Sequence, residues 1–145
     1  MKEDNEGEFF GVLIESDSSE ASHNQLPSSE LTEKVIGCAY RVSNILGCGF
    51  LEKVYENALA HELRKAGLRV AQQQRVQVIY DGVEVGYYDA DLIIDGRLII
   101  EVKTVRTLED THKAQCLNYL KATGIRLGLL INFGSPRVEV KRVAL

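Results

Sequence analysis

The chain has no tryptophan, only two prolines and a single methionine among its 145 residues. Its three cysteines, Cys38, Cys48 and Cys116, are far apart and lack the paired spacing of a zinc site or a redox motif, so we expect them to be reduced. No stretch approaches the roughly 20 consecutive apolar residues of a membrane span, and the N-terminus lacks the basic and then apolar pattern of a signal peptide. These absences favour a cytoplasmic protein without a membrane partner.

Acidic residues are concentrated near the N-terminus. Residues 1–30 carry eight acids and one base and have a formal charge of −7, whereas residues 31–145 carry 16 bases and 13 acids and have a charge of +3. We therefore predict an acidic, flexible tail over residues 1–28 and a single folded domain over residues 29–145. Within the tail, the apolar run 9–14 is an exception that suits either an added edge strand or a partner. A mildly positive domain is compatible with a polyanionic partner.

The spacing of apolar residues predicts an α/β domain with the order ααββββαββ. Apolar residues recur at helical spacing over residues 31–46 and 51–66, and Gly67 provides a natural stop for the second helix. The runs 90–94 and 98–102 are almost wholly apolar, which predicts central strands buried on both faces. The remaining predicted elements are strands at 76–80, 83–88, 127–133 and 138–143 and a helix at about 108–121.

Charged residues interrupt the two predicted central strands at Asp91, Glu101 and Lys103. A buried, unpaired carboxylate costs several kcal/mol, so these residues indicate a metal, mutual pairing, or a position at the exposed end of the sheet. Two carboxylates with a free coordination face suit Mg²⁺, and an adjacent lysine can position the attacking water of phosphodiester hydrolysis. A surface ion pair between Glu101 and Lys103 is the alternative interpretation.

The register of the predicted hairpin decides whether the two acids meet. A strict two-residue turn at Asp95 and Gly96 would place Asp91 opposite Ile100 and leave Glu101 on the other face. An odd-length loop or a single bulge would bring both acids together. A shared acidic site requires the second register.

The segment containing Gly49, Glu52 and Tyr55 resembles the signature of the GxxExxY protein family, which belongs to the PD-(D/E)XK nuclease superfamily. The resemblance extends from about Leu31 to the C-terminus and includes residues 128–134. It implies a restriction-endonuclease-like three-layer core, in which helices flank a mixed central sheet. It also implies a metal-dependent nuclease that hydrolyses phosphodiester bonds of DNA or RNA.

The same resemblance assigns roles to individual residues. Asp91 matches the first acid of the superfamily, Glu101 and Lys103 match its Glu-x-Lys, and Glu52 matches an additional acid carried on a helix. In the resulting hypothesis, Asp91, Glu101 and the Val102 carbonyl hold Mg²⁺ or Mn²⁺. Lys103 positions the attacking water, and Glu52 orients a second ion or water. Simple helix capping is the alternative role for Glu52.

Four further residues carry expectations. Gln115 and Tyr119 resemble the Gln-x-x-x-Tyr element of the branch related to recombination exonucleases, and they lie on one helix face where they can contact a phosphate or brace the acids. Tyr55 is expected in the core. Asp89 departs from the family, which often has an arginine nearby. A third acid on the same strand face would either add a metal ligand or weaken the approach of phosphate.

A second hypothesis, from another functional class, is a catalytically silent binding or regulatory module that keeps the nuclease fold. The sequence shows no evident basic stripe or separate recognition module for holding nucleic acid. Such a module would act through a homodimer or through its acidic tail. The histidines, His23, His61 and His112, have no spacing typical of a metal cluster and are expected at the surface.

Overall fold

The computed structural model describes residues 28–145. The predicted tail and its apolar run lie outside the described residues, apart from Ser28, which begins the first helix. The elements are α1 (Ser28–Leu46), α2 (Glu52–Lys65), β1 (Val70–Tyr80), β2 (Val83–Ile94), β3 (Leu98–Lys103), α3 (Asp110–Thr123), β4 (Leu127–Asn132) and β5 (Glu139–Ala144). Within residues 28–145, no helix is long and apolar enough to cross a membrane.

The five strands form one sheet in the order β1-β2-β3-β4-β5. Strands β1 to β3 are antiparallel neighbours, β3 and β4 are parallel, and β4 and β5 are antiparallel. Parallel neighbours need a crossover connection, which α3 supplies between β3 and β4. The expected α/β class, with a mixed sheet flanked by helices, is confirmed.

One predicted strand boundary is wrong. The sequence pattern predicts separate strands at 83–88 and 90–94, but these residues form the single strand β2, and the order is therefore ααβββαββ. The first part of β2 is mostly exposed and its last residues are buried, so its hydrophobic pattern changes from alternating to continuous. Pairing with β1 nevertheless continues through Tyr88, Asp89 and Ala90. The change in pattern reflects a change of environment, which does not coincide with a break in the backbone.

The core has two layers, one on each face of the sheet. Ile94 and Ile100 pack with the residues of α1 and α2, whereas Ile93 and Ile99 pack with those of α3. This division follows from the two-residue period of a strand, which sends neighbouring side chains to opposite faces. The central strand β3 is buried over its first five residues, as its apolar run predicts.

Candidate active site

The hairpin between β2 and β3 adopts the register that brings the two acids together. Leu92 pairs with Ile100, and the connecting loop consists of residues 95–97. The loop therefore has an odd length, in contrast to the strict two-residue turn. Continuing this pairing by one residue places Asp91 opposite Glu101.

The two acidic side chains replace part of the regular backbone ladder. The backbone N–H of Asp91 donates to Glu101 Oε2 at 3.1 Å, and the backbone N–H of Val102 donates to Asp91 Oδ2 at 2.9 Å. Strand alternation is also interrupted here, because Ala90 and Leu92 are two residues apart yet pack in core clusters on opposite faces. Asp91 thus lies at the point where β2 departs from regular strand geometry.

Burial and neighbouring carboxylates disfavour the charged forms of both acids. Glu101 is only 5% exposed. Its burial, reinforced by the nearby Asp91 carboxylate, raises its pKa to about 8, although the N–H of Asp91 and the Lys103 ammonium act in the opposite direction. Burial likewise raises the pKa of Asp91, against the hydrogen bond from Val102. A cation placed between the two carboxylates would relieve the repulsion.

Lys103 and Glu52 reach the same region from two separate elements. Lys103 ends β3, and its positive charge opposes the rise in pKa of Asp91, Glu101 and Glu52, so it acts on all three carboxyl groups. Glu52 is the first residue of α2. Burial raises its pKa, and Lys103 and the backbone N–H of Thr104 oppose this rise. The fold therefore assembles one amine and three acids at the end of the central hairpin.

Tyr55 fixes the loop that precedes α2. Its hydroxyl donates to the Gly47 carbonyl at 2.6 Å and accepts from the Phe50 N–H at 3.2 Å. Its ring, which is fully buried as expected, stacks on Phe133 with centroids 4.8 Å apart. Gly49 has a φ of +113°, a backbone conformation that favours glycine. These contacts set the position at which α2 begins, and hence the position of its first carboxylate.

The sequence interpretation missed Glu56 and Gln73. Glu56 is 3% exposed and accepts a hydrogen bond from Gln73 Nε2 at 2.9 Å, and the same amide donates to Asp91 Oδ1 at 3.1 Å. Glu56 also contributes to the raised pKa of Asp91. Its spacing of four residues from Glu52 in α2 places both acids on one helix face and was the available signal. Nothing in the sequence pattern singles out Gln73, which reaches the site with a φ of +53°.

Gln115 and Tyr119 are on α3, which packs on the face of the sheet opposite to α1 and α2. Tyr119 is buried, and both its burial and the carboxylates of Glu101 and Asp91 raise its pKa. Gln115 is exposed and lines the same surface groove as Tyr119. Between them, Cys116 is buried, and its burial, together with Glu101, raises its pKa to about 12. This face of α3 therefore borders the acids.

Asp89 does not extend the acid cluster. Its Oδ1 lies 3.9 Å from Arg75 Nε, and both side chains are largely exposed. Its neighbours in the chain, Tyr88 and Ala90, face α3: Tyr88 contacts Tyr119, and Ala90 packs in the core cluster that contains residues of α3. Because Asp89 pairs with a surface arginine, the expectation of a third acid beside Asp91 is not met.

The donor set fits a divalent cation that prefers oxygen ligands. Asp91 and Glu101 each accept a backbone N–H with one carboxylate oxygen, and the other oxygen of Asp91 accepts from Gln73 Nε2. Each carboxylate oxygen has more than one lone pair, so both groups can still bind a cation. Across residues 28–145, no group of three or more His, Cys, Asp and Glu side chains is arranged as a ready metal site. Mg²⁺ does not need such a group, because it is often held by one or two carboxylates together with waters and substrate phosphate.

A mixed sheet between helices, with acids and a lysine at the end of its central hairpin, defines a restriction-endonuclease-like α/β domain. A family model for the PD-(D/E)XK nuclease superfamily matches residues 29–143, and the chain belongs to this superfamily. Its members typically use divalent metals and act on nucleic acid.

The crystal structure of SSO0001 has a similar fold, with a TM-score of 0.50 and 20% sequence identity. The likeness covers 92% of this chain and 75% of that chain, and it concerns the fold alone. No curated protein sequence matches the chain.

Proposed function

We propose that this protein is a cytoplasmic, Mg²⁺- or Mn²⁺-dependent nuclease that hydrolyses phosphodiester bonds of DNA or RNA, and that it belongs to the GxxExxY family within its superfamily. The observation that carries the proposal is the meeting of Asp91 and Glu101 across the hairpin, with each side chain bonded to the backbone of the opposite strand. The charge of Lys103 and the carboxylate of Glu52 lie close enough to influence both acids.

The proposed roles follow from the chemistry of each group. Asp91, Glu101 and the Val102 carbonyl would hold the cation, which, when bound, polarises the scissile phosphate and favours deprotonation of the attacking water. Lys103 positions that water and offsets the negative charge of the phosphate. Glu52 orients the water or a second ion. The water oxygen then forms a bond to phosphorus and loses a proton to solvent, while the bond to the leaving oxygen breaks and that oxygen takes up a proton from solvent.

The proposed support from outside the β2–β3 hairpin comes from three residues, Gln73 on β1 and Gln115 and Tyr119 on α3. Gln73 holds Asp91 Oδ1 and links it to Glu56, so it limits the rotation of the Asp91 carboxylate. Gln115 and Tyr119 brace the acids or contact a phosphate from the side of α3. Fixed carboxylates matter because a cation site requires its ligands at defined positions before the metal arrives.

The test is cleavage of mixed DNA and RNA substrates with Mg²⁺ or Mn²⁺. Wild type should cleave, and Asp91→Ala and Lys103→Ala should each lose about 100-fold or more of the rate. Asp89→Ala and Lys141→Ala are matched controls, since they remove an exposed acid from β2 and an exposed lysine from β5. Activity that persists in both site variants would reject the assignment.

Metal binding can be measured without substrate. Calorimetric titration with Mg²⁺ or Mn²⁺ should show binding to wild type and to Asp89→Ala. Binding should vanish in Asp91→Ala, because this variant lacks one of the two carboxylates proposed as ligands. Equal binding in all three proteins would place the cation elsewhere.

A second candidate function is a catalytically silent module that binds nucleic acid or acts through a homodimer. It is favoured by the hydrogen bonds that already occupy oxygens of Asp91 and Glu101 and by the lack of a ready three-residue metal group within residues 28–145. Nucleic acid binding without cleavage, equal in wild type and Asp91→Ala, would support this alternative. Light scattering of the purified chain would test the dimer.

A further inference from the structure

A surface groove runs along α3 beside the acidic site. One part has a volume of about 400 Å³ and is lined by Tyr88, Gln115, Asn118 and Tyr119, among others. An adjoining part of about 280 Å³ shares Tyr88 and Asn118 and extends past Lys121. The two parts together lie between α3 and the strands β1 and β2, because Gln77, Val78 and Ile79 of β1 and Tyr88 of β2 also line them. None of the proposed metal ligands lines this groove.

Tyr88 forms the aromatic wall of the groove. It is 42% exposed, and its ring centroid lies 5.1 Å from that of Tyr119, with the two rings tilted by 57°. Tyr119 packs in the same core cluster as Ala90, the residue before Asp91, and the charges of Glu101 and Asp91 contribute to its raised pKa. The groove therefore begins near the acids, and Tyr88, three residues before Asp91 in β2, presents an open aromatic surface there.

The other lining groups combine hydrogen-bonding amides with one positive charge. Gln115 and Asn118 offer both donors and acceptors from α3, and Lys121 adds a cation on the same helix. Nucleobases match this combination because they have a flat face for stacking and an edge for hydrogen bonds. The attached phosphate suits a lysine.

A base within a duplex is already stacked and paired, so it cannot lie against a tyrosine ring without leaving the helix. An unpaired base has both its face and its pairing edge free. Stacking on an aromatic side chain contributes about 1–3 kcal/mol per base and tolerates any sequence. The groove therefore suits a single strand better than a duplex.

We propose that the α3 groove binds an unpaired nucleotide next to the scissile phosphate, with its base stacked on Tyr88, and that the substrate is a single-stranded nucleic acid. The inference rests on the proposed nuclease function, because it treats the groove as an extension of that site. Tyr88 acts as a binding residue and takes no part in bond cleavage.

The test measures binding of a short fluorescent single-stranded oligonucleotide, and of the duplex of the same sequence, by anisotropy with Ca²⁺ in place of Mg²⁺. Tyr88→Ala should weaken single-strand binding by about 5- to 150-fold, which corresponds to the loss of one stacked base. Tyr88→Phe should bind like wild type. Tyr40→Ala removes a tyrosine of similar exposure, 44%, from α1 and should have no effect.

A spectroscopic signature separates stacking from a merely structural role. An oligonucleotide that carries 2-aminopurine should lose fluorescence on binding to wild type and to Tyr88→Phe, since stacking quenches this base. Binding to Tyr88→Ala should leave the fluorescence unquenched. If Tyr88→Ala does not fold, Asn118→Ala on the opposite wall should still weaken single-strand binding.

The outcomes distinguish this inference from the function on which it rests. If wild type cleaves nucleic acid and Tyr88→Ala binds the single strand as well as wild type does, the proposed role of the groove is wrong and the proposed nuclease function is retained. A preference of wild type for the duplex would also overturn it. Failure of wild type to bind or cleave any nucleic acid would instead reject the proposed function itself.

Discussion

Replacing Glu101 with glutamine tests the electrostatic description of the site. The pKa of Glu101 rises from 4.5 to about 8, so between these values the folded protein keeps a proton that the unfolded chain releases. When the folded state binds more protons, the free energy of unfolding falls as pH rises. The stability contributed by the protonated carboxyl is therefore complete below about pH 4.5 and is lost as pH rises through about 8.

The size of the effect follows from the shift in pKa. At about 1.4 kcal/mol for each pH unit, the rise from 4.5 to about 8 corresponds to a loss of up to about 5 kcal/mol in unfolding free energy. Glutamine keeps an oxygen that can accept the N–H of Asp91 but carries no charge. Glu101→Gln should therefore match wild type within about 1 kcal/mol at about pH 5 and exceed it by several kcal/mol at about pH 9.

Urea denaturation at acidic, neutral and alkaline pH, without divalent ions, measures the unfolding free energy of wild type and of Glu101→Gln as a function of pH. Glu33→Gln, which removes an exposed acid from α1, is the control and should follow wild type throughout. Mg²⁺ should stabilise wild type at alkaline pH by about 2.7 kcal/mol at about 100 times its dissociation constant, and it should stabilise Glu101→Gln far less. If the unfolding free energies of wild type and Glu101→Gln changed with pH in the same way, the reasoning would be refuted.

Three further predictions concern the scaffold and the N-terminal segment. Tyr55→Phe removes a hydroxyl that joins two backbone groups, so urea denaturation should show a loss of about 1–3 kcal/mol, together with slower cleavage. In Gly128→Ala, the new Cβ would lie 2.7 Å from Cys116 Sγ, so we expect a loss of about 1–3 kcal/mol that Cys116→Ala in the same chain partly restores. Removing residues 1–27 deletes seven acids and one base and changes the formal charge from −4 to +2. Anisotropy should then show tighter nucleic acid binding at low salt, with a smaller difference at high salt.

Each of these predictions has a contrary outcome. Unchanged stability in Tyr55→Phe would mean that water replaces the hydroxyl. A destabilisation of Gly128→Ala that Cys116→Ala does not relieve would show that the close approach to Cys116 Sγ is not its cause. A shortened chain that binds no more tightly at any salt concentration would show that the acidic segment does not compete with nucleic acid.

Much of the scaffold was predictable because it depends on short-range patterns. The apolar runs at 90–94 and 98–102 predicted buried central strands, and the glycine after α2 predicted its end. The acids within apolar runs identified the candidate site residues, since an isolated buried charge is too costly to retain without a partner. These signals involve residues close together in the chain.

Only the tertiary structure decided how these residues meet. A change of one residue in the loop between β2 and β3 would have sent Asp91 and Glu101 to opposite faces, and the length of that loop depends on packing against both helical layers. Glu56 and Gln73, which are 17 residues apart along the chain, reach Asp91 from different elements, a proximity that no local pattern encodes. The sequence by itself therefore determined the elements and the chemical character of the site. The register and the long-range contacts, which depend on the packing of the whole domain, decided its geometry.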